Sequence, residues 1–121
     1  MVQSFRDLQD WQRSMQLTVG VYRLTQKFPR EEKYGLTSQI RRSAVSIPSK
    51  IAEAQGRQTT GEFKRFLGIA RGSNCELQTQ LEIAKALGIG DAKLIEEAES
   101  PSHEVRKMLF TLLASLKTTT H

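Results

Sequence analysis

The sequence predicts an all-α fold, an antiparallel up-and-down four-helix bundle, and three observations carry that reading. Apolar residues recur at helical spacing in four blocks. The breaks between the blocks are short and hold proline, glycine or a capping residue. Strand signals are nearly absent, with no Asn-Gly or Asp-Gly turn between alternating runs. Long helices with short connections favour antiparallel neighbours. At 121 residues the chain fits one domain with a core of useful size.

The first helix is expected over about 7–27, stopping at Phe28-Pro29. Leu8, Trp11, Met15, Val19 and Tyr22 line one side; Leu17, Val21, Leu24 and Phe28 line nearly the opposite side. A helix in a lone bundle needs one apolar face. The second face packs under a loop, joins the core beside the second helix, or meets another subunit. Leu17, Val21, Leu24 and Phe28 are therefore candidates for an oligomer interface.

The second helix is expected over about 36–55, with Leu36, Ile40, Ala44, Ile47, Ile51 and Ala54 in one narrow arc. Pro48 lies inside it, removing a donor and crowding the Ala44 carbonyl. The apolar phase runs on from Ile47 to Ile51, so a bend at Pro48 is expected rather than a break. Ser43, Ser46 and Ser49 are the candidates to satisfy freed backbone groups.

Thr59 and Glu62 form a capping box for a third helix over about 60–87. Its stripe is Phe63, Phe66, Ala70, Leu77, Leu81 and Ala84, with Ser73 near the middle. Gly68, Gly72 and Cys75 make a small-residue edge. A helix-interior glycine costs about 1 kcal/mol relative to alanine, which points to close approach of another helix, in the chain or in another subunit. Gly68 and Gly72 join the interface candidates. Asp91 caps the fourth helix, over about 91–117, whose seam holds Leu94, Ala98, Val105, Met108, Leu109, Leu112 and Leu116. With Ser100 capping a restart at Pro101, two nearly collinear segments are expected there.

The net charge is +5, and residues 1–57 supply all of it: ten Lys/Arg against five Asp/Glu, with eight against eight in the remainder. Such an excess suits polyanions, or is scattered charge on a soluble domain. A single cysteine, Cys75, excludes an intrachain disulfide and a multi-cysteine metal site, and suits a cytoplasmic location. The opening residues do not read as a secretory signal, and no apolar stretch approaches the roughly 18 residues of a membrane span. The histidines, His103 and His121, form no Glu-x-x-His pair of the di-iron bundle enzymes. Glu96, Glu97 and Glu99 read as a solvated first turn. No enzyme, cofactor or metal is expected.

Opposite the apolar seam of the second helix, Arg42, Ser46, Ser49 or Lys50, Glu53 and Arg57 follow at helical intervals. Such a row suits phosphate contacts, which position a nucleic acid without reading its sequence. Arg41, Lys50 and Arg57 are the contact candidates. Arg42, Glu53 and Glu76 are the candidates for a structural ion pair: Arg42 or Arg41 pairs with Glu76 at the edge of the third helix's stripe as a partly buried bridge, and Glu53 within the row favours that structural role because a carboxylate there repels phosphate.

The segments FRDLQDWQRS, FPREEKYGLTSQIRRSAVSIPSKIAEAQGR and EFKRFLGIARGSNCELQTQL resemble, in that order, a bacterial four-helix-bundle family encoded within intervening sequences of 23S ribosomal RNA genes. Members are similar to the accessory variability protein of diversity-generating retroelements, a basic bundle that associates with reverse transcriptase and nucleic acid. The resemblance implies a left-handed bundle assembling as a homopentamer and associating with nucleic acid. It marks Arg42, Ser46, Pro48, Ala52, Glu53, Ser73 and Glu76 as signature positions. Lys50 stands where asparagine is usual and Ala54 where glycine is usual. The expected function is a non-enzymatic, basic homo-oligomer bound to RNA or DNA with weak sequence specificity. The alternative is a protein-interaction scaffold, for example an accessory subunit of a reverse transcriptase.

Overall fold

The structure is a computed structural model that describes residues 4–117; His121 lies outside the described residues. After a 3₁₀ turn at Phe5–Asp7 come α1 (Gln9–Thr25), α2 (Leu36–Gln55), α3 (Thr60–Leu87) and α4 (Ala92–Lys117), with a second 3₁₀ turn, Arg30–Glu32, between α1 and α2. Among the described residues there is no strand. Each helix packs on two others, α1 on α2, α2 on α3, α3 on α4, and α4 back on α1. Neighbours run antiparallel: Thr18 meets Ala44 while Thr25 meets Arg41, further back in α2. One hydrophobic cluster joins all four helices.

The caps follow the sequence. Thr59 Oγ1 accepts from the Glu62 amide at 3.1 Å, and Asp91 Oδ1 accepts from the Lys93 amide at 2.8 Å. α1 is shorter than expected because Leu8 is extended (φ −77°, ψ 131°). That break lets the Phe5 ring meet Trp11 edge-on, with centroids 5.3 Å apart. α3 closes on Gly88 (φ 68°), with the Ile89 amide donating to the Ala84 carbonyl at 2.9 Å.

The face of α1 that enters the core reverses the sequence expectation. Leu17, Val21 and Leu24 have no exposure and Phe28 only 8%, so these four are core residues and form no subunit interface. The exposed apolar side is the other one, where Met15, Val19 and Tyr22 stand partly in solvent. The buried side also carries polar residues, and local bonds accommodate them. Ser14 Oγ donates to the Trp11 carbonyl, and Thr25 Oγ1 to the Val21 carbonyl, each at 2.8 Å. Phe28 reaches the far end of the bundle. A Cβ on Gly90 (φ 86°) would stand 2.5 Å from its ring. Only glycine fits there on both counts.

α2 runs through Pro48 without interruption. The proline leaves the Ala44 carbonyl without its helical donor, and the group that covers it comes from α1. Thr18 Oγ1 lies 3.1 Å from the Ala44 carbonyl and 2.8 Å from that of Ser14, sharing its proton between them. Of the expected serine donors, Ser49 bonds the Val45 carbonyl at 2.8 Å, while Ser46 turns to Ser73 of α3 at 2.8 Å.

α4 is likewise one helix through Pro101, not the two segments expected. A buried polar group holds it to α3 at that point. Asn74 Nδ2 donates to the Ser102 carbonyl at 2.9 Å, Ser102 Oγ donates to Asn74 Oδ1 at 2.7 Å, and Gln78 Nε2 donates to Ser102 Oγ at 3.0 Å. The helix is thus supported from its neighbour where proline weakens it.

Asp10 sits on the buried side of α1, beside a hollow of about 600 Å³ bordered by Leu8, Lys107, Met108 and Leu112. Its Oδ1 accepts from the Trp11 amide at 2.9 Å, but its buried Oδ2 has no partner among the described residues. Burial pushes the Asp10 carboxyl above the usual carboxylate range, against the opposing effect of the backbone hydrogen bonds.

Two outcomes follow for stability. Thr18→Val, which keeps the shape and removes the donor, lowers the unfolding free energy by about 1–3 kcal/mol in a denaturant titration, and Thr18→Ser keeps most of it. For Asp10 the folded chain holds its proton to higher pH than the unfolded chain, so this group's contribution falls as pH rises through that window. Asp10→Asn therefore raises the thermal midpoint by a few degrees at pH 7, and melting curves converge as the pH drops into the acid range.

Candidate nucleic-acid interface

The first turn of α2 begins at Gly35, which offers no side-chain cap, and contains no acidic residue. Glu32 Oε1 accepts from the Leu36 amide at 3.1 Å. One turn further on, Arg41 leans toward α1. Its Nε donates to Thr25 Oγ1 at 2.7 Å, and its guanidinium lies 4.5 Å from the centre of the Tyr22 ring. Arg41 is thus a held cation with its terminal nitrogens unspent, backed by an aromatic face. It is one of the three contact candidates.

The other two gather at the opposite end of α2, around Phe66 of α3. Arg57 lies 4.5 Å from that ring centre, Arg65 5.6 Å and Lys50 5.7 Å. Lys50 Nζ also bonds Glu53 Oε1 at 3.3 Å, and Arg57 Nε donates to the Glu53 carbonyl oxygen at 3.3 Å. Arg41 therefore stands apart from Arg57, while Lys50 lies between them, bordering one groove with Arg41 and reaching toward Phe66.

The expected structural ion pair does not form. Arg42 and Glu53 are eleven residues apart on one helix, about 16 Å along its axis, so they are out of reach. Lys50, three residues before Glu53, takes the carboxylate instead. The Ser46–Ser73 contact brings Arg42 and Glu76 to neighbouring turns. Yet both remain exposed, and among the described residues neither makes an ion pair. Gly68 and Gly72 are exposed, and a Cβ at either would meet nothing within 4 Å. No helix of the same chain approaches them, which removes the intramolecular explanation for these glycines.

Sequence reasoning missed two groupings. Lys33, Tyr34, Thr37, Arg41, Arg42 and Lys50 share one groove of about 680 Å³, whose lining contains no carboxylate. The only sequence signal was the count of cations between Lys33 and Lys50. The second grouping is Cys75 and His103, which border one hollow with Glu82 and Glu99. They lie on different helices, so no spacing along the chain reveals them, and no hydrogen bond joins them. Among the described residues, no cluster of His, Cys, Asp and Glu is placed to hold a metal ion, and no helix is long and apolar enough to cross a membrane.

Fold and surface together define a helical-bundle protein whose cations and exposed rings collect on α2 and its neighbours. The chain matches the 23S rRNA-intervening sequence protein family over residues 6–111 and belongs to it. Among solved structures it is similar to a protein of unknown function from the S23 ribosomal protein family of Bacteroides thetaiotaomicron. The two share 24% identity and a TM-score of 0.77, over 86% of this chain and 97% of that one. That likeness shows the fold. Among curated proteins, none matches the chain in sequence.

Proposed function

We propose that the protein is a non-enzymatic, basic homo-oligomer, a pentamer by the resemblance of its sequence, that associates with RNA or DNA through phosphate contacts and reads little sequence. The observation that carries this reading is the carboxylate-free groove in which Lys33, Arg41, Arg42 and Lys50 converge. The net charge of +5 and the Arg57, Arg65 and Lys50 cluster around Phe66 support it. So does a family described by an intervening sequence of 23S rRNA.

Assembly is supported by two different exposed apolar surfaces. One is Met15 and Val19 on α1; the other is Ile69, Ile83 and Leu87 on α3, beside the bare backbone of Gly68 and Gly72. Two unlike surfaces joined head to tail give a closed ring when the rotation between copies divides a full turn, as a pentamer requires. A second reading, an interaction scaffold or accessory subunit such as a reverse transcriptase uses, is favoured by Phe110. This ring is 55% exposed on α4, with Arg71 5.7 Å from its centre. Tight association with a purified protein partner after nuclease treatment, without measurable nucleic-acid affinity, replaces the first reading with the second.

Binding to mixed-sequence oligonucleotides falls steeply with salt, because each phosphate contact releases counterions. Arg57→Ala weakens binding alike for all sequences and lowers the slope of log affinity against log salt by about one. Affinity that ignores salt, or none for either single strands or duplexes, ends the nucleic-acid reading. Val19→Asp and Ile83→Asp, both at exposed positions, each shift the sedimentation profile toward monomer while the helical circular dichroism is kept. An unchanged profile in both removes these surfaces from the assembly.

A further inference from the structure

We infer that the groove between the end of α1 and the start of α2 is a seat for single-stranded nucleic acid, holding a phosphate at the start of α2 and an unpaired base against Tyr34. The inference rests on the nucleic-acid reading above and narrows it to one class of ligand and one site. Four features of the groove point the same way.

The first is charge. Lys33, Arg41, Arg42 and Lys50 border the groove and no carboxylate does. Lys50 is shared with Glu53, and Glu32, outside the lining, keeps its negative charge on the Leu36 amide, so the lining cations outnumber the carboxylates beside them. Arg42 and the terminal nitrogens of Arg41 carry no bond among the described residues.

The second is the backbone. After Leu36, the amides of Thr37 and Ser38 in the first turn of α2 have no acceptor among the described residues. Free amides at the positive end of a 20-residue helix attract an anion, and the cations beside them add to that field.

The third is Thr37 itself. It borders the groove, is only 7% exposed, and its hydroxyl has no hydrogen-bond partner among the described residues. Buried hydroxyls are ordinarily satisfied. This one leaves a donor unspent in the first turn of α2.

The fourth selects the strand type. Tyr34 is 88% exposed with Lys33 Nζ 5.4 Å from its ring centre, and Tyr22 is backed by the Arg41 guanidinium. In a duplex the base faces are stacked on one another and are not available to these rings. An unpaired base stacks on an aromatic face whatever its identity, which agrees with weak sequence preference. A duplex held by its phosphates alone has no use for an exposed ring beside the cations.

The test is fluorescence anisotropy with a labelled mixed-sequence single strand and with the same strand annealed to its complement. Wild type, Tyr34→Ala, Tyr34→Phe and Thr37→Val are compared at one salt concentration. The single strand binds more tightly than the duplex. Tyr34→Ala weakens single-strand binding by about tenfold, the size of one lost stacking contact, and leaves duplex binding unchanged. Tyr34→Phe keeps the affinity, and Thr37→Val lowers it. Tyr34 is exposed, so its replacement leaves the fold intact. Measurable single-strand binding that Tyr34→Ala does not alter, or equal affinity for both forms, overturns the groove while the broader reading stands. Absence of binding to either form overturns both.

Discussion

The carbonyl of Ala44 is the point around which the bundle is arranged. Pro48 takes away its helical donor, and a part-buried carbonyl left bare carries the full cost of its lost hydration. Thr18 supplies the missing bond from α1. That contact lies midway along the helix pair, with others on either side of it. Toward the start of α2, Thr25 meets Arg41, whose guanidinium comes to rest over Tyr22. Toward its end, Trp11 and Met15 border one hollow with Pro48 and Ala52. The same pairing of α1 with α2 brings Tyr22 and Arg41 together at the edge of the groove that holds the cations.

Polar groups play the same part on the other side of the molecule. The aliphatic seam between α3 and α4 gives binding strength but tolerates a slide by one turn. Asn74, Gln78 and Ser102 do not, since a slide leaves several buried groups unpaired at once. The surface pairs between helices contribute less. Arg13 holds the Glu104 carboxyl below the usual carboxylate range through two hydrogen bonds of 2.8 Å, yet Glu104 stands in solvent. Lys85 bridges Glu82 and Glu99 in the same exposed manner.

Much of the fold was legible along the chain. The second and third helices end where the sequence says, and Thr59, Asp91 and Gly88 act as read, because capping is settled within one turn of chain. Phase alone failed at α1. Leu17, Val21, Leu24 and Phe28 share their side with Asp10, Ser14 and Thr25, so that side reads as the less apolar one. Serine and threonine hydroxyls bonded to their own helix enter a core at little cost, and a hydropathy count does not see those bonds. The candidate site was legible only as an inventory of cations. The seams placed Arg42 or Arg41 with Glu76 across two helices, but among the described residues no such pair forms, and the carboxylate in the row, Glu53, goes to Lys50 one turn away. That Tyr34 and Lys33 would stand beside Arg41 depends on the path of the chain between α1 and α2, which no periodicity describes.

The Phe28 ring over Gly90 bears on how this fold can be lengthened or cut. Two connections meet at that end of the bundle, the one leaving α1 and the one joining α3 to α4, and each is the other's lid. An extra residue in either dislodges the ring or forces a side chain into it. In the link between α2 and α3, residues 56–58 are exposed, and its one packed side chain, Arg57, is a long flexible one resting on Phe66. Insertions, engineered fusions and a circularly permuted start are therefore best accommodated there. In a family built on so few connections, that leaves one hinge point free to vary in length while the helices keep their places.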